Sequence, residues 1–304
     1  MDIKQLRAVS AVGSHHSFSA AARSLDTVQS NISAHVSRLE KELGVTLVDR
    51  ADNALTPEGT VVAARAGRIE AELDALASDL AALRDEVVGS VRLGVIGTTA
   101  RWLVPMLLDH LAEVHPGIRL TLLDGTTSVL IPRVVEGDLN LAVVSQPSDE
   151  PAISVETLFD EDLVLVVGSS HPLAGSTTVR LADLDGWEVM LDVPGSRYRA
   201  LLDARCEEAG ITLRPKAEIE GLRLIASLAF AGYGAAVLPA SAAPNWAGGS
   251  WVAIPIVDIA GRTVGLARRR PGMPSAASRA VAQAIADVVR TNAGSQNGIR
   301  THPQ

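Results

Sequence analysis

The hydrophobic positions follow a different period in each of three successive parts of the chain. In residues 59–88 they recur at alternating steps of four and three, as in the heptad repeat of a coiled coil. The members of this stripe are Val62, Ala66, Ile69, Leu73, Leu76, Leu80, Leu83 and Val87. Two apolar positions in seven make a narrower face than a core helix usually has. The pattern predicts a dimerising linker helix over residues 59–88, with an amphipathic core helix as the alternative.

Residues 1–58 show short helical periods separated by turn residues. The periods predict helices over residues 1–12, 18–25 and 28–43. We expect Gly13 and Gly44 to end the first and third helices and Thr27 to cap the third. The buried stripe of the third helix would be Val28, Ile32, Val36, Leu39 and Leu43. Two short helices around a tight turn predict a helix-turn-helix, and residues 49–53 predict a small wing. A three-helix module without a DNA role is the alternative.

In residues 89–292, short buried runs typical of strands alternate with helical periods. The predicted strands are 91–96, 118–123, 139–144, 163–167, 187–191, 217–219, 235–238 and 264–267, and the predicted helices are 100–114, 127–136, 197–209, 222–231 and 276–291. This alternation indicates parallel sheets. We expect two lobes, lobe I at 89–162 with 263–292 and lobe II at 163–262, followed by a disordered tail at 293–304. The predicted fold class is mixed α and α/β.

Composition narrows the class of protein. Hydrophobic residues make up 47% and charged residues 20%, which is typical of globular chains. The net charge is −8, and residues 1–58 carry six basic against seven acidic side chains, or −1. A DNA-reading surface must therefore be a local basic face. The single cysteine, Cys206, excludes an internal disulfide framework and a cysteine-based zinc site, and fits a reducing cytoplasm.

Two segments bear on localisation. Three charged residues among the first seven interrupt any signal-peptide pattern. Residues 224–257 contain no charged residue, and this run is long enough to span a bilayer. Gly232, Gly234 and Pro239 interrupt the part of bilayer length, residues 224–243, so a buried helix, a glycine turn and a buried strand explain it better. We expect a cytoplasmic protein without a membrane span.

The outer face of the third predicted helix carries side chains that suit a DNA major groove. Glutamine and asparagine can bond bidentately to adenine, serine can bond to several base edges, and an alanine methyl can contact the thymine methyl. Basic side chains near the helix end can hold phosphates. For any single serine, a solvated surface role is the alternative.

The run FSAAARSLDTVQSNISAHVSRLEKELGVTLVDR, followed by LTPEG, resembles the winged helix-turn-helix of LysR-type transcriptional regulators. Further along, SVRLG, GDL, HPLA and GYGAAVLP resemble the effector domain of that family, a two-lobed periplasmic-binding-protein-like α/β domain. The resemblance extends to about residue 292. It implies a sequence-specific regulator that binds double-stranded promoter or operator DNA, with linker helices paired in a homodimer and effector domains paired in a homotetramer.

Transferred by position, the resemblance implies eight DNA contacts. The base readers would be Gln29, Ser30, Ser33 and Ala34, and the backbone contacts would be Asn31, His35, Arg38 and Arg50. The chain departs from the family in two places. Its recognition helix starts Val-Gln-Ser-Asn where many members have Ser-Gln-Pro or Ser-Gln-Ser. Its wing is short and carries Asp52 in place of the common basic residues, which leaves Arg50 as the expected phosphate contact from the wing.

Polar residues follow several predicted strands or open predicted helices. Ligands of such sheets lie at the carboxyl ends of strands, where helix N-termini point N–H groups at anions. The candidates are Thr98, Thr99, Thr126, Thr127, Ser128, Ser145, Gln146, Ser196 and Arg197. Their convergence predicts a small anionic effector, such as a carboxylate, in the cleft that the resemblance also implies. For each hydroxyl an N-cap role is the alternative, and Arg101 and Arg197 are either counter-charges or surface residues.

No motif in the chain indicates catalysis. A nucleophile elbow, HExxH, a P-loop and a motif with paired carboxylates are all missing, and the glycines at 94–97 lack the rest of a dinucleotide fingerprint. We therefore predict no enzymatic activity, no metal site and no cofactor. A solute-binding or transferase-like α/β protein with an appended helical module is the alternative. The sequence leaves open the identity of the effector, the operator and the sign of regulation.

Overall fold

The N-terminal part consists of three helices and a two-stranded wing. The computed structural model describes residues 1–146, 150–243, 248–270 and 272–301. The first elements are α1 (Ile3–His15), α2 (Phe18–Ser24), α3 (Gln29–Leu43), β1 (Val48–Asp49) and β2 (Ala54–Leu55). Asp2 caps α1 and Ser17 caps α2, because each side chain accepts a hydrogen bond from a first-turn N–H. The three helices share one buried core, to which the wing contributes Leu47 and Val48.

Two details of these helices differ from the prediction. Gly13 lies inside α1 and does not end it. A Cβ atom at Gly13 would lie 2.5 Å from Leu55 Cδ1, so the glycine lets the wing approach the helix. Val28 and Leu43, predicted to be buried, are 60% and 41% exposed. Both lie at the ends of α3, beyond the reach of the helices that cover its middle.

One long helix, α4 (Pro57–Ala82), joins the wing to the rest of the chain. Thr56 caps it by accepting a hydrogen bond from the Gly59 N–H at 3.0 Å. At 1.5 Å per residue the 26 residues span about 39 Å. The first turns belong to the N-terminal core, in which Ala66 is fully buried.

The linker helix is shorter than predicted at its C-terminal end. The chain turns after Ala82, and Asp85 adopts a left-handed backbone with φ of 60°. Leu83 and Val87 of the predicted stripe therefore lie outside the helix. Because Ala66 packs within its own chain, the stripe that remains exposed on α4 is Ile69, Leu73, Leu76 and Leu80.

Two sheets form the C-terminal part. The first half contains β3 (Gly89–Ile96), α5 (Gly97–Val114), β4 (Ile118–Gly125), α6 (Thr127–Glu136), β5 (Leu141–Ser145), β6 (Ile153–Glu161), β7 (Leu163–Gly168) and β8 (Glu188–Leu191). The second half contains α7 (Arg197–Ala209), β9 (Arg214–Glu218), α8 (Leu222–Phe230), β10 (Ala235–Pro239), β11 (Trp251–Pro255), β12 (Arg262–Arg269), α9 (Ala276–Asn292) and β13 (Ile299–Arg300).

The order of the strands defines the two lobes. Lobe I has the order β13-β6-β12-β5-β3-β4, and lobe II has the order β11-β7-β10-β8-β9. The chain passes between the sheets twice, from β6 to β7 and from β11 to β12. The architecture is thus a winged helix-turn-helix, a linker helix and a two-lobed α/β domain.

Both sheets are mixed, which corrects the prediction of parallel sheets. Strand β12 is antiparallel to β5 and β6, and β7 is antiparallel to β10 and β11. The prediction missed β6, β11 and β13. The strand directions differ from the prediction because β7 and β12 each follow a crossover between the two sheets. A parallel arrangement is expected only where a helix connects two strands of one sheet. The acidic residues of β6 also conceal its apolar positions.

The predicted disordered tail is ordered over most of its length. A 3-10 turn covers Ala293–Ser295, and β13 pairs antiparallel with β6. Ile299 is 6% exposed, and the Arg300 guanidinium donates to both carboxylate oxygens of Asp162, at 2.6 and 2.7 Å. A strand that shows one apolar residue and one ion-pairing residue in a polar segment cannot be recognised from its sequence pattern. Residues 302–304 lie outside the described part.

Hydrophobic cores follow the sheets. One cluster fills lobe I, where the rings of Trp102 and Phe159 meet edge to face at 5.5 Å. In lobe II, alternate residues of β7 point into two clusters, one on each face of the sheet. The uncharged run at 224–257 begins within α8 and includes β10 and β11. None of the described helices combines the length and the apolar character needed to cross a membrane.

Candidate DNA-reading and effector sites

The start of α3 projects from the N-terminal part. Asp26 makes the turn between α2 and α3 with a left-handed backbone, φ 49°, a conformation that aspartate tolerates. Gln29, Ser30 and Asn31 are exposed, and Arg38 is exposed two turns later. This arrangement leaves a polar helix end free to enter a groove.

Some of the predicted readers are held by neighbouring side chains. The Ser19 hydroxyl donates to Gln29 Oε1 at 2.8 Å. The Asn31 amide donates to the Thr27 hydroxyl at 2.9 Å, so Thr27 orients Asn31 and does not cap α3 as predicted. Val28 is the N-cap residue and makes no side-chain bond. These bonds fix the orientation of the two amide side chains before DNA is met.

Arg50 does not reach outward from the wing. Its guanidinium donates to the hydroxyls of Ser37 at 2.9 Å and Ser33 at 3.4 Å, and it lies 5.4 Å from the ring centre of Phe18. The structure thus brings Arg50 against α3 beside a predicted base reader. Ala34 and His35 are half-buried on the same helix.

The effector candidates of lobe I lie at the starts of α5 and α6 and at the end of β5, and most of the threonine hydroxyls are already bonded. Thr98 and Thr99, predicted in a turn, are buried in the first turn of α5. The Thr98 hydroxyl accepts from Arg262 Nη2 at 2.6 Å, and Thr127 Oγ1 accepts from the Ser145 N–H at 3.0 Å. The remaining contacts are Thr126 Oγ1 with Ser128 Oγ at 2.9 Å and Gln146 Nε2 with Thr157 Oγ1 at 3.5 Å.

The lobe II candidates show the N-cap role that was the alternative. Ser196 Oγ accepts from the Arg199 N–H at 3.0 Å and caps α7, while Arg197 is exposed. By contrast, no side-chain cap bond is made at Ile96, Thr126 or Gly221, the N-cap residues of α5, α6 and α8. The first-turn N–H groups of those helices are what remains to meet an anion.

A buried ion pair ties the two crossovers together. Glu161 ends β6 and is fully buried, and Arg262 begins β12 with a side chain that is 7% exposed. Arg262 Nε donates to Glu161 Oε1 at 2.7 Å, and the Ser241 N–H of lobe II donates to Glu161 Oε2 at 2.9 Å. The two crossovers together are called the hinge. Because Arg262 also bonds to Thr98, the hinge and the start of α5 share one hydrogen-bond network.

A second ion pair crosses the cleft. Asp124, near the end of β4 in lobe I, pairs with Arg223 on α8 in lobe II. Arg101 on α5 lies near this pair. Burial lowers the pKa of Arg101, and the positive charge of Arg223 lowers it further. Two guanidinium groups, of Arg101 and Arg223, therefore lie near the ion pair that joins the lobes.

Of these charged residues, the sequence analysis named only Arg101, as a counter-charge or a surface residue, although the sequence carried a signal for some of the others. Asp124 directly follows a predicted strand, and Arg223 lies in the first turn of a predicted helix, as the chosen hydroxyls did. Glu161 and Arg262 lie within two residues of the predicted lobe boundaries. Pairing across a cleft requires tertiary structure, so their partners could not be read from spacing.

Two hollows open elsewhere on the described surface. One of about 440 Å³ is lined by residues 89–90 and 116–119, and one of about 390 Å³ lies beside His171, Trp187 and Lys216. Neither contains a predicted effector residue. The charged groups that join the two lobes, Asp124 and Arg223, line neither hollow. Within the described residues, no group of three acidic, histidine or cysteine side chains is arranged to hold a metal ion.

Comparison with known proteins decides the family. Residues 3–60 match the bacterial regulatory helix-turn-helix of the lysR family, and residues 84–290 match the LysR substrate binding domain. The chain belongs to the LysR family. It is thus a DNA-binding transcriptional regulator with an effector-binding domain, and the family are regulators and not enzymes.

Individual relatives resemble most of the chain. A probable hydrogen peroxide-inducible genes activator of Mycobacterium leprae is 32% identical over 299 residues, 95% of this chain and 94% of that protein. Full-length CbnR complexed with target DNA has a TM-score of 0.72 at 26% identity and covers 96% of this chain and 100% of that chain. The effector binding domain of QuiR in complex with shikimate has a TM-score of 0.59 at 25% identity, and covers 67% of this chain and 98% of that chain.

The buried hinge pair generates a stability prediction. Arg262→Met leaves Glu161 as an unpaired buried carboxylate, so we expect the free energy of unfolding to fall by about 3–5 kcal/mol. Adding Glu161→Gln should recover much of the loss, since a neutral amide still accepts from Ser241. Denaturant unfolding of the full chain measures both. Arg268→Met, which removes an exposed pair on the same strand, is the control and should cost about 1 kcal/mol or less. Equal losses for the two single variants would show that the hinge pair has no special role.

Proposed function

We propose that this LysR-family regulator reads its operator with α3 as a dimer joined along α4, and that a small carboxylate bound between the lobes modulates it. The observation that carries the proposal is the exposed stripe on α4. Leu73, Leu76 and Leu80 are 36%, 57% and 56% exposed, although they follow heptad spacing. Exposed leucines at that spacing suit a second copy of the same helix.

The other side of α4 is already occupied within the chain. Ser78 is buried, and its hydroxyl accepts from the Ala277 N–H of α9 at 3.1 Å. At 3.6 residues per turn, Ser78 lies opposite the face that bears Leu76 and Leu80. The stripe thus points away from its own effector domain, which supports pairing between chains.

Dimerisation compensates for a weak individual reader. Residues 1–58 carry a net charge of −1, so one module gains little from phosphate attraction. Two modules held on one pair of helices raise the effective concentration for the second half-site. For assembly into a tetramer, lobe I offers the edge strand β4 and the exposed side chains of Leu108, Leu122 and Val129. Effector binding then favours one arrangement of the winged helix-turn-helix domains over another.

The proposed effector class follows from the cleft. Two helix N-termini of lobe I lack side-chain caps, and Arg101 and Arg223 lie close to one of them. QuiR, a similar structure, holds shikimate, which is a carboxylate. The features of this chain and that neighbour support a small carboxylate.

Thiol-based peroxide sensing does not fit this chain, despite the name of the M. leprae relative. The sequence contains one cysteine, so no disulfide can form within it. Cys206 is 5% exposed on α7, and burial raises the pKa of its thiol to about 11. The thiolate is the form that peroxide attacks, and at neutral pH this thiol stays protonated. We therefore assign Cys206 to packing.

Base recognition by α3 is tested on the operator, which is first located by DNA footprinting of the region upstream of the gene for this protein. Gln29→Ala should weaken operator binding by about 1–3 kcal/mol and leave random DNA unaffected, because it removes a base contact. Arg38→Gln should weaken binding to both and lower the salt slope by about one. Fluorescence anisotropy at several salt concentrations measures these effects, with Gln283→Ala on α9 as the control. Equal loss on operator and random DNA for Gln29→Ala would contradict base reading.

The dimer interface is tested by charge. The double variant Leu73→Lys with Leu80→Lys places like charges on both helices of the proposed α4 pair. The protein should therefore become monomeric in sedimentation, and its operator affinity should fall about 100-fold. Asp74→Lys introduces the same side chain on another exposed face of α4 and should leave the dimer intact. A double variant that sediments as a dimer and binds DNA normally would refute pairing through α4.

The role of Cys206 is tested with hydrogen peroxide. Treatment should leave the operator affinity of the wild type unchanged, and Cys206→Ala should bind equally well, because the buried thiol is protonated. Gel shift and intact-mass measurement report binding and oxidation together. A peroxide-dependent change in binding that Cys206→Ala abolishes would assign a sensing role to this thiol.

A further inference from the structure

The ion pair between Asp124 and Arg223 joins the two lobes at the cleft. Asp124 lies in β4 of lobe I, and Arg223 lies in the first turn of α8 in lobe II. Their side chains are 42% and 55% exposed, so both charges remain accessible to solvent and solutes. An ion pair with this exposure contributes little to stability. Its position therefore calls for a functional explanation.

The pair lies directly over the first residue of α5. A Cβ atom at Gly97 would lie 2.9 Å from Asp124 Oδ1 and 3.0 Å from Arg223 Nε. A larger residue at position 97 would require these two side chains to shift. The Asp124 carboxylate consequently sits at the N-terminal end of an 18-residue helix whose N-cap, Ile96, supplies no side-chain acceptor.

Such surroundings are those of a bound carboxylate. The positive end of the helix and a guanidinium both stabilise a negative group at that place. The second guanidinium, Arg101, lies one turn along α5 and senses the charge of Arg223. A carboxylate of the chain itself therefore occupies a place built for an anion.

We propose that Arg223 is the residue that receives the effector carboxylate, and that Asp124 is an internal counter-carboxylate that holds the place when no effector is bound. This inference rests on the proposed carboxylate effector. Binding exchanges one carboxylate for another on Arg223, which breaks the direct link between β4 and α8. Competition from Asp124 sets the effector concentration that the protein requires.

The experiment uses full-length protein and sodium acetate as the probe. Asp124→Asn removes the internal charge with little change in volume and leaves Arg223 to bind an external carboxylate. In about 100 mM acetate, compared with equal sodium chloride, the unfolding midpoint of Asp124→Asn should rise by about 2–4 °C. The unfolding midpoint of the wild type should rise by less than half of that amount. Acetamide, which is neutral, should not raise the midpoint of either protein.

Two controls separate this site from general salt effects. Asp138→Asn removes a carboxylate that is 40% exposed and paired with Arg92 at 2.8 Å on the surface of lobe I, so it should behave like the wild type. Asp124→Asn with Arg223→Gln should lose the acetate response. Asp124→Ser serves as a second vacant-site variant if the amide disturbs the fold.

Two outcomes overturn the proposal. The first is that acetate raises the unfolding midpoint of Asp124→Asn and Asp124→Ser no more than that of Asp138→Asn, or that the rise persists when Arg223→Gln is added. The other is stabilisation of the wild type by glycine that Asp124→Asn abolishes, which would mean that the pair binds both ends of a zwitterion. Specific operator binding by the wild type is measured separately, so either outcome leaves the DNA-reading function standing.

Discussion

The buried contact between Glu161 and Arg262 is the interaction on which the arrangement of the lobes depends. Taking two charges out of water is costly, and a buried pair is sustained only when additional hydrogen bonds satisfy it. Here those bonds come from the Ser241 N–H of lobe II and the Thr98 hydroxyl of α5. The pair therefore holds both crossovers, lobe II and the wall of the cleft in one geometry. The start of α5 is thus bonded directly to the buried pair.

Lobe I carries this hinge and the linker contacts on shared elements. Strand β12 begins at Arg262 and ends at Arg269, whose guanidinium lies 3.4 Å from the Glu72 carboxylate of α4. The start of α9 is also held by α4, since Asp79 accepts from the Ala276 N–H at 2.7 Å. One continuous strand thus connects the hinge side of lobe I to the helix that bears the exposed leucine stripe. The path is a spatial connection, and coupling along it is a separate quantity to be measured.

Local patterns predicted the parts of this fold that depend on local chemistry. The period of 3.5 located α4, and the polar outer face of α3 located the helix-turn-helix, because both are properties of single helices. The end of α4 was missed, since Leu83 and Val87 continue the spacing after the backbone has turned. Strand directions and β13 were missed because pairing is decided by residues far apart in sequence. The same limit applies at the cleft. The hydroxyl of Thr98 was named as a candidate, but its bond to Arg262 was not foreseen, whereas the N-cap bond of Ser196 was the stated alternative.

The charged residues of the cleft show why a hydroxyl pattern is an incomplete description of an anion site. Most of the predicted hydroxyls are hydrogen-bonded within the chain and fix the positions of α5, α6 and α7. In the proposed site, the free energy of binding a carboxylate comes from groups whose partners can be exchanged, such as the first-turn N–H groups and the guanidinium of Arg223. An internal carboxylate on that guanidinium preserves the cleft without a ligand, because it supplies the charge that the ligand would supply. It also favours effectors that bring additional contacts, since a bare carboxylate gains only the difference between itself and Asp124. In the proposed site, specificity therefore depends on the rest of the effector molecule, while Arg223 and α5 select for its charge.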